Sequence, residues 1–378
     1  MSSVRPPRVE SLRDLLNTDL AYVRGHLDAE FAGMAGKRLL MTGGGGFLGY
    51  YMVQSVLHWN DHNPGSPPIH VTVFDNYVRG VPAWLEALGG RADLTLVRHD
   101  VRLPLPDPLP EFEYIVHAAG IASPIYYRAH PLETMDANID GLRRLLDYAR
   151  ARVDSGKAFG GFIFYSSSEI YGDPSPDMIP TPEDYRGNVS CTGPRACYDE
   201  SKRYGETLCA VYARYHGVPV KMVRPFNNYG PGLKISDRRV LPDFARDVMN
   251  GRDIVMLSDG KPTRTFCYVA DSVCGYYKAL VKGRPGEAYN IGIDRPEISM
   301  RDLAERVVAS ARELFDYRGR VVSAAPAEAD YLVDNPNRRC PDMAKSRDEL
   351  GYRPSILIDE GIRRSLVWYH YHPEAEDL

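Results

Sequence analysis

The stretch RLLMTGGGGFLGYYMVQSVL, residues 38 to 57, constrains the fold more than any other part of the chain. An apolar run passes through Gly43, Gly44, Gly45, Gly46 and Gly49 into an amphipathic helical pattern. A strand that feeds a helix through glycines makes a tight turn, and its backbone N–H groups can approach a pyrophosphate lying at the helix N-terminus. The turn lacks the Gly-Lys-Ser/Thr ending of a nucleotide-hydrolysing loop, which argues against NTPase chemistry. From residue 37 onward short apolar runs alternate with helical stretches: RLLMTG, IHVTVFD, LTLVRHD, YIVHAAG, GFIFYSSS and VKMVRPF. That alternation predicts an α/β fold, a Rossmann-type doubly wound parallel sheet covered on both faces.

The second of these strands ends at Asp75. A carboxylate there can accept both hydroxyls of an adenosine ribose and would repel a 2′-phosphate, so NAD is the expected cofactor rather than NADP. Asp100 closes the third strand, where it can reach an adenine or cap the turn that follows.

The 378 residues, 44% hydrophobic and 25% charged, are enough for two lobes. The NAD-binding domain is expected over 37–225, with about 262–289 returning to it, and a smaller, mostly helical substrate lobe over 226–261 and 290–378. Helical patterns within that second part fall near 241–250, 299–315 and 359–370. Residues 1–36 form an expected N-terminal helical extension. Leu12, Leu15, Leu16, Leu20, Val23, Leu27 and Phe31 share one helical face there, and Ser11 is a candidate N-cap. Its polar face is mixed in sign, so packing on its own domain or on a partner subunit is favoured over membrane binding. Residues 58–68, HWNDHNPGSPP, are expected to be a loop inserted before the second strand.

A net charge of −4 gives no electrostatic reason to expect nucleic acid or an anionic membrane as partner. The six cysteines contain no CxxC pair and no His/Cys metal spacing, so reduced thiols and no metal are expected. Neither a signal peptide nor an apolar run long enough to span a bilayer is evident, and the expected location is cytoplasmic.

The segment GPRACYDESKRYGE, 193 to 206, sets Tyr198 and Lys202 four residues apart. On a helix such side chains lie one above the other, which brings an ammonium toward a phenol. A phenol titrates near pH 10, so work as a base near neutrality requires lowering it by roughly 2–3 units, or about 3–4 kcal/mol. One cation at about 4–5 Å supplies about that much at an effective dielectric near 20. The same spacing also arises in ordinary helices, and the pair alone does not decide between the two.

Taken together, the motifs resemble the extended short-chain dehydrogenase/reductase family of nucleotide-sugar enzymes over roughly 37 to 370. They are Gly43, Gly46 and Gly49 in GxxGxxG; HAAG at 117–120; ASP at 122–124; SSSEIYGD at 166–173; GPRACYDESKR at 193–203; RPFNNYGP at 224–231; TRTFCYVAD at 263–271; and RRCPD at 338–342. The GPRACYDE version is similar to the family's UDP-glucuronate decarboxylase branch. That resemblance implies oxidation at the sugar C4, loss of carbon dioxide from the resulting β-keto acid, and re-reduction to the pentose. It assigns Tyr198 as the base at the 4-hydroxyl, with Lys202 holding the nicotinamide ribose and the tyrosinate and Ser167 bonding the same sugar oxygen.

The 4,6-dehydratases carry an Asp–Glu pair where this chain has Ser168–Glu169. Without that Asp, water loss at C6 has poor support. Glu169 is implied in the C5 steps, or else orients Tyr171 or its loop. Arg339 matches the position near the substrate carboxylate, with Arg338 beside it as the alternative. The implied cofactor-binding set is Gly43, Gly46, Phe47, Leu48, Gly49, Asp75, Asn76, Asp100, Val101, Ala118 and Ala119, together with Tyr198 and Lys202. Ser123, Tyr127, Asn227, Arg239, Arg264 and Arg339 are implied at the nucleotide sugar, UDP-glucuronate.

Two departures from relatives are Gly232 after GP, where many have Arg, and Cys340 where they have Lys; they leave uridine and thymidine both open. A homodimer is implied, through helices at about 133–152 and 197–216. The rival readings are a 4-epimerase, a 4,6-dehydratase, and an NAD(H)-sensing protein on a disabled dehydrogenase fold.

Overall fold

A computed structural model describes residues 11–324 and 336–372; those parts of the expected extension and lobe at 1–10, 325–335 and 373–378 lie outside the described residues. Among the described residues the largest sheet has seven strands. In spatial order they are Ala288–Ile291, Val220–Pro225, Gly161–Tyr165, Tyr114–His117, Arg38–Thr42, His70–Asp75 and Leu94–Arg98. All neighbouring pairs run parallel. Leu39, Leu40, Met41, Val71, Val73, Ile115, Val116, Phe162, Ile163 and Phe164 are buried. Strands buried on both faces read as continuous apolar runs, which is why this part of the sequence is so legible.

Strand order reverses beside Arg38–Thr42, where one neighbour is His70–Asp75 and the other Tyr114–His117. Helices leave the two sides of such a point toward opposite faces, opening a crevice at the carboxyl ends of the strands. The Gly43–Gly46 turn and Ala118–Ala119 stand at that crevice.

The Phe47–His62 helix runs further than expected. Residues 58–62, read as loop, are its last turn, and only the stretch after Asn63 is irregular. Gly65, Pro67 and Pro68 drew the sequence reading too early. The Trp59 ring is buried and its indole N–H donates to Asp28 at 2.9 Å, so tertiary packing extends the helix up to the proline-rich segment.

That contact comes from the N-terminal helix, Leu12–Met34, whose Ser11 side chain caps it by accepting from the Asp14 N–H. Leu15, Leu20, Val23, Leu27 and Phe31 pack into the main core. Its polar residues are anchored as well. Asp19 is fully buried and accepts from Tyr51 at 2.5 Å, Tyr268 at 2.6 Å and Arg364. Buried Glu30 pairs with Lys278 at 3.0 Å and Lys282 at 2.7 Å. The helix therefore docks on its own chain. Asp19→Ala would leave three donors without this acceptor, and we expect it to lower unfolding free energy in urea by about 1–3 kcal/mol.

Beyond Pro225 the chain leaves the sheet, forms the Val240–Met249 helix, and returns as the Val269–Lys282 helix and the Ala288–Ile291 edge strand. A short three-stranded sheet pairs Thr263–Arg264 with Ile298–Ser299 on one side and Arg338–Arg339 on the other. Helices Met300–Phe315 and Ile358–Tyr371 complete this part.

Candidate active site

At the crevice, Gly43 has φ +73°, and a Cβ there would lie 2.7 Å from the Ala119 backbone. Only glycine lets the turn press this closely on the neighbouring strand end. Gly46 caps the Phe47–His62 helix, so Phe47, Leu48 and Gly49 form its first turn and their N–H groups face the crevice mouth. Asp75 accepts the Gly45 N–H at 3.0 Å with one oxygen and the Tyr77 N–H at 2.9 Å with the other. Each oxygen keeps a lone pair for a further donor. Burial pushes this carboxyl up, while the two N–H bonds oppose the shift.

A helix N-terminus reached through glycines that carry no side chains, beside an acceptor-only carboxylate, fits a dinucleotide with a free ribose 2′-hydroxyl. Asp100 caps its own turn, accepting the Arg102 N–H at 3.0 Å and its guanidinium at 2.7 Å, which lowers it to about 2. Asn76 lies 3.4 Å from it, and Val101 is buried behind. Ala118 and Ala119 bond to Thr42, at 3.2 Å to its carbonyl and 3.4 Å to its hydroxyl.

Tyr198 and Lys202 lie on the first turns of the Ala196–His216 helix, and both are buried. Nζ donates to the Tyr165 carbonyl at 2.7 Å and stands over the Tyr198 ring, 5.7 Å from its centre. In the chain by itself the expected depression of the phenol is absent. Burial pushes Tyr198 up to about 12, against a hydrogen bond with Ser167 and the charge of Arg239. Burial also brings Lys202 down to about 7. A dry interior penalises each charge alone, and the pair must be charged together to work as a base. Tyr127 stacks on Tyr198 with ring centres 5.0 Å apart and 13° between planes, and its hydroxyl has no hydrogen-bond partner among the described residues.

Ser167 ends an extended segment and accepts the Glu169 N–H at 3.2 Å, starting the short helical turn Ser168–Tyr171. That turn aims Glu169 at two guanidiniums. Arg339 grips it with both terminal nitrogens, one at 2.5 Å, and Arg195 meets the same carboxylate from the start of the Tyr198 helix. Burial alone would raise Glu169, but the charges of Arg339 and Arg195 outweigh it and hold the group well below the usual carboxylate range. Glu169 does not orient Tyr171, whose hydroxyl bonds to Asn290 at 2.8 Å and to Arg224 at 2.6 Å.

The short parallel strand turns the two neighbouring arginines to opposite sides. Arg339 pairs in register with Arg264 and is buried, while Arg338 alternates to the other side and binds Glu297 at 2.7 Å. Arg264 donates to the carbonyls of Thr263 at 2.7 Å and Asn337 at 3.2 Å and to that of Pro336. Burial, and after it the nearby Arg339 charge, lower it to about 9, while Glu169 and Asp173 oppose the shift.

Arg239 pairs with Asp237 at 2.9 Å, and the Ser123 hydroxyl donates to the Asp237 carbonyl at 3.0 Å. Asn227 has φ +42° and donates to the Thr265 carbonyl at 2.8 Å. At the departure noted after Tyr229-Gly230-Pro231, Gly232 has φ +90° and a Cβ would meet the Tyr50 side chain at 2.8 Å, so an arginine does not fit this backbone.

Two charged groups escaped the sequence reading, half-buried Arg195 and buried Asp199. Arg195, at the N-cap of the Tyr198 helix, stands four residues before Asp199, so the two side chains meet on one face beside Tyr198. That spacing marks them as a pair in the sequence, but not as enclosed.

Comparison with known proteins agrees with this geometry. Residues 39–292 match the model of the NAD dependent epimerase/dehydratase family. UDP-glucuronic acid decarboxylase 3 of Arabidopsis thaliana is 37% identical over 325 residues, covering 86% of both chains. UDP-glucuronic acid decarboxylase 1 of Xenopus tropicalis is 33% identical over 340 residues, 90% of this chain and 74% of that one. Among solved structures, the dTDP-glucose 4,6-dehydratase DesIV of Streptomyces venezuelae, crystallised with NAD, superposes with a TM-score of 0.74 at 27% identity, covering 88% of this chain and 97% of that one. With a model match spanning the whole crevice and the Tyr198 helix, the chain belongs to the NAD dependent epimerase/dehydratase family.

Proposed function

We propose that the protein is a UDP-glucuronate decarboxylase that makes UDP-xylose, and that the site residues act as follows. The observation that carries the reading is the meeting of Arg195 and Arg339 on Glu169, next to Tyr198. Such a pocket suits a substrate that brings a carboxylate of its own. Tyr198 takes the proton from the sugar 4-hydroxyl, helped by Ser167, and Lys202 compensates the tyrosinate charge. NAD, when bound, accepts the hydride from C4 and gives it back at the end, held by Gly43, Gly46, Phe47, Leu48, Gly49, Asp75, Asn76, Asp100, Val101, Ala118, Ala119, Tyr198 and Lys202.

Arg339, with Arg195, holds the carboxylate, which leaves as carbon dioxide once C4 is a ketone because its bonding electrons pass into that ketone. Glu169 manages the proton at C5, and Tyr198 returns its proton to the 4-oxygen. Ser123 and Tyr127 line the sugar, and Asn227, Arg239 and Arg264 hold the diphosphate side. The lobes divide near 225, with about 262–289 belonging to the cofactor lobe.

Mass spectrometry of UDP-glucuronate after incubation with the NAD-loaded protein tests the reading. Loss of the mass of carbon dioxide supports it; loss of water, or no change, removes it in favour of a dehydratase or an epimerase. We also expect NAD+ to bind at least about tenfold more tightly than NADP+, since a 2′-phosphate would face Asp75. Equal dissociation constants would refute that assignment.

Leu132, Met135, Tyr204, Val211 and Tyr215 are exposed on the adjoining Pro131–Asp136 and Ala196–His216 helices. An apolar face of this kind supports a homodimer built on these helices. No helix among the described residues is long and apolar enough to cross a membrane, which accords with the cytoplasmic location we propose.

A further inference from the structure

The motif SSSEIYGD ends in a carboxylate that the reaction leaves unused, Asp173. Gly172 before it has φ +62°, and a Cβ there would clash with the Asn188 carbonyl, so only glycine makes this turn. Both backbone groups of Asp173 are tied to Asn188. The Asp173 N–H donates to the Asn188 carbonyl at 3.3 Å, and the Asp173 carbonyl accepts from the Asn188 amide at 3.3 Å. The carboxylate is left to reach another part of the chain. One oxygen accepts the Asn337 backbone N–H at 2.8 Å, and the other accepts the Asn337 side-chain amide at 3.0 Å.

Asn337 immediately precedes the Arg338–Arg339 strand. Its carbonyl accepts from the Thr263 N–H at 3.0 Å and from the Arg264 guanidinium at 3.2 Å. Asp173 thus fastens the segment that carries Ser167 and Glu169 to the short sheet that carries Arg264 and Arg339. The far end of that strand is fixed by backbone, since the Thr181 N–H donates to the Cys340 carbonyl at 2.8 Å and the Asp342 N–H to the Thr181 carbonyl at 2.9 Å. Asp173 fixes the near end with a side chain. Between the two ends Arg339 grips Glu169, and a substrate carboxylate must compete with Glu169 for that guanidinium. The Asp173 contact lies outside this competition and persists through it.

We propose that Asp173 is a positioning residue for the substrate: it holds Asn337, and with it Arg264 and Arg339, in place while Arg339 passes from Glu169 to the sugar carboxylate. The part concerning Arg339 rests on the decarboxylase reading. The part concerning Arg264 needs only a nucleotide diphosphate, and UDP alone tests it. Two cations held in place before the substrate arrives reduce the ordering cost of binding. Loss of the contact therefore shows in substrate affinity more than in the chemical step.

The test compares the NAD-loaded full chain with Asp173→Ala, Asp173→Asn, Asn337→Asp and the exchange that combines the last two. UDP affinity is read by calorimetry, and kcat and KM from carbon dioxide release by UDP-glucuronate. Asp173→Ala should weaken UDP binding and raise KM by about three- to tenfold, with kcat within about twofold of the parent; the factor is modest because Asn337 is exposed to water. Asp173→Asn sets two amide groups against each other and Asn337→Asp sets two carboxylates, so both single variants should be impaired. The exchange restores one amide and one carboxylate, and should bring both constants back to within about twofold of the parent. Parent-like constants in Asp173→Ala overturn the proposal, as does a loss confined to kcat. A loss that the exchange does not recover also overturns it, because the Asp173 charge would then act on Arg264 from a distance. So does an equal fall in NAD+ affinity, the sign of a fold loosened throughout. A parent that releases no carbon dioxide defeats the decarboxylase reading, and UDP binding then decides the role of Asp173 by itself.

Discussion

Tyr198→Phe is expected to slow hydride transfer by on the order of 10²–10⁴ while leaving cofactor and nucleotide sugar bound. The ring is buried and stacked on Tyr127, so the substitution removes one oxygen and keeps the stack. What disappears is the acceptor for the 4-hydroxyl proton and the partner of Ser167. The size follows from the environment. Burial leaves the phenol near 12 and the Lys202 ammonium near 7, so neither group is set to act until both are charged together. Rapid mixing of the NAD-loaded variant with UDP-glucuronate, followed at the NADH absorbance band, measures the step. A variant that reduces its bound NAD as fast as the parent would show that the base is another group.

Arg339→Ala should be the next most damaging change. The guanidinium is buried and grips Glu169 with two nitrogens, so its removal takes away the proposed carboxylate contact and also frees a buried anion. Losing one charge-assisted contact costs about 1.5–3 kcal/mol, a loss of roughly 10- to 150-fold in kcat/KM for UDP-glucuronate. Binding of UDP, which has no sugar carboxylate, should stay close to normal by calorimetry. Arg338→Ala is the control, because that side chain faces Glu297 on the other side of the strand. Parent-like decarboxylation by Arg339→Ala, or an equal collapse of UDP binding, would remove the assignment; the second result would make Arg339 a diphosphate ligand or a structural residue.

The two arginines show where sequence and structure part. RRCPD marks the place, but only the pairing of Arg338–Arg339 with Thr263–Arg264 decides which side chain turns inward. The sheet was legible because its strands are buried on both faces, and buried parallel strands leave unbroken apolar runs. The end of the Phe47–His62 helix was not, since its last turn depends on Trp59 meeting Asp28, far away in sequence. Helical spacing correctly put Tyr198 and Lys202 on one face. It could not reveal that the ammonium would find the Tyr165 carbonyl, a contact set by the neighbouring strand. Arg195 and Asp199 were hidden for a different reason. Charged residues near the start of a helix usually face water, and only the assembled cluster shows that these are enclosed.

The docking of the Leu12–Met34 helix bears on the order in which the molecule is assembled during translation. Asp19 and its partner Arg364 are separated by 345 positions, and Glu30 and Lys278 by 248. At about 5–20 residues per second, Asp19 is made roughly 17–70 s before Arg364. Through that interval Leu15, Leu20, Val23, Leu27 and Phe31 have only part of their final cover, and two carboxylates wait for cations not yet synthesised. The first helix among the described residues is thus among the last to be locked in place, which makes the nascent chain's early exposure a cost carried by this helix rather than by the sheet.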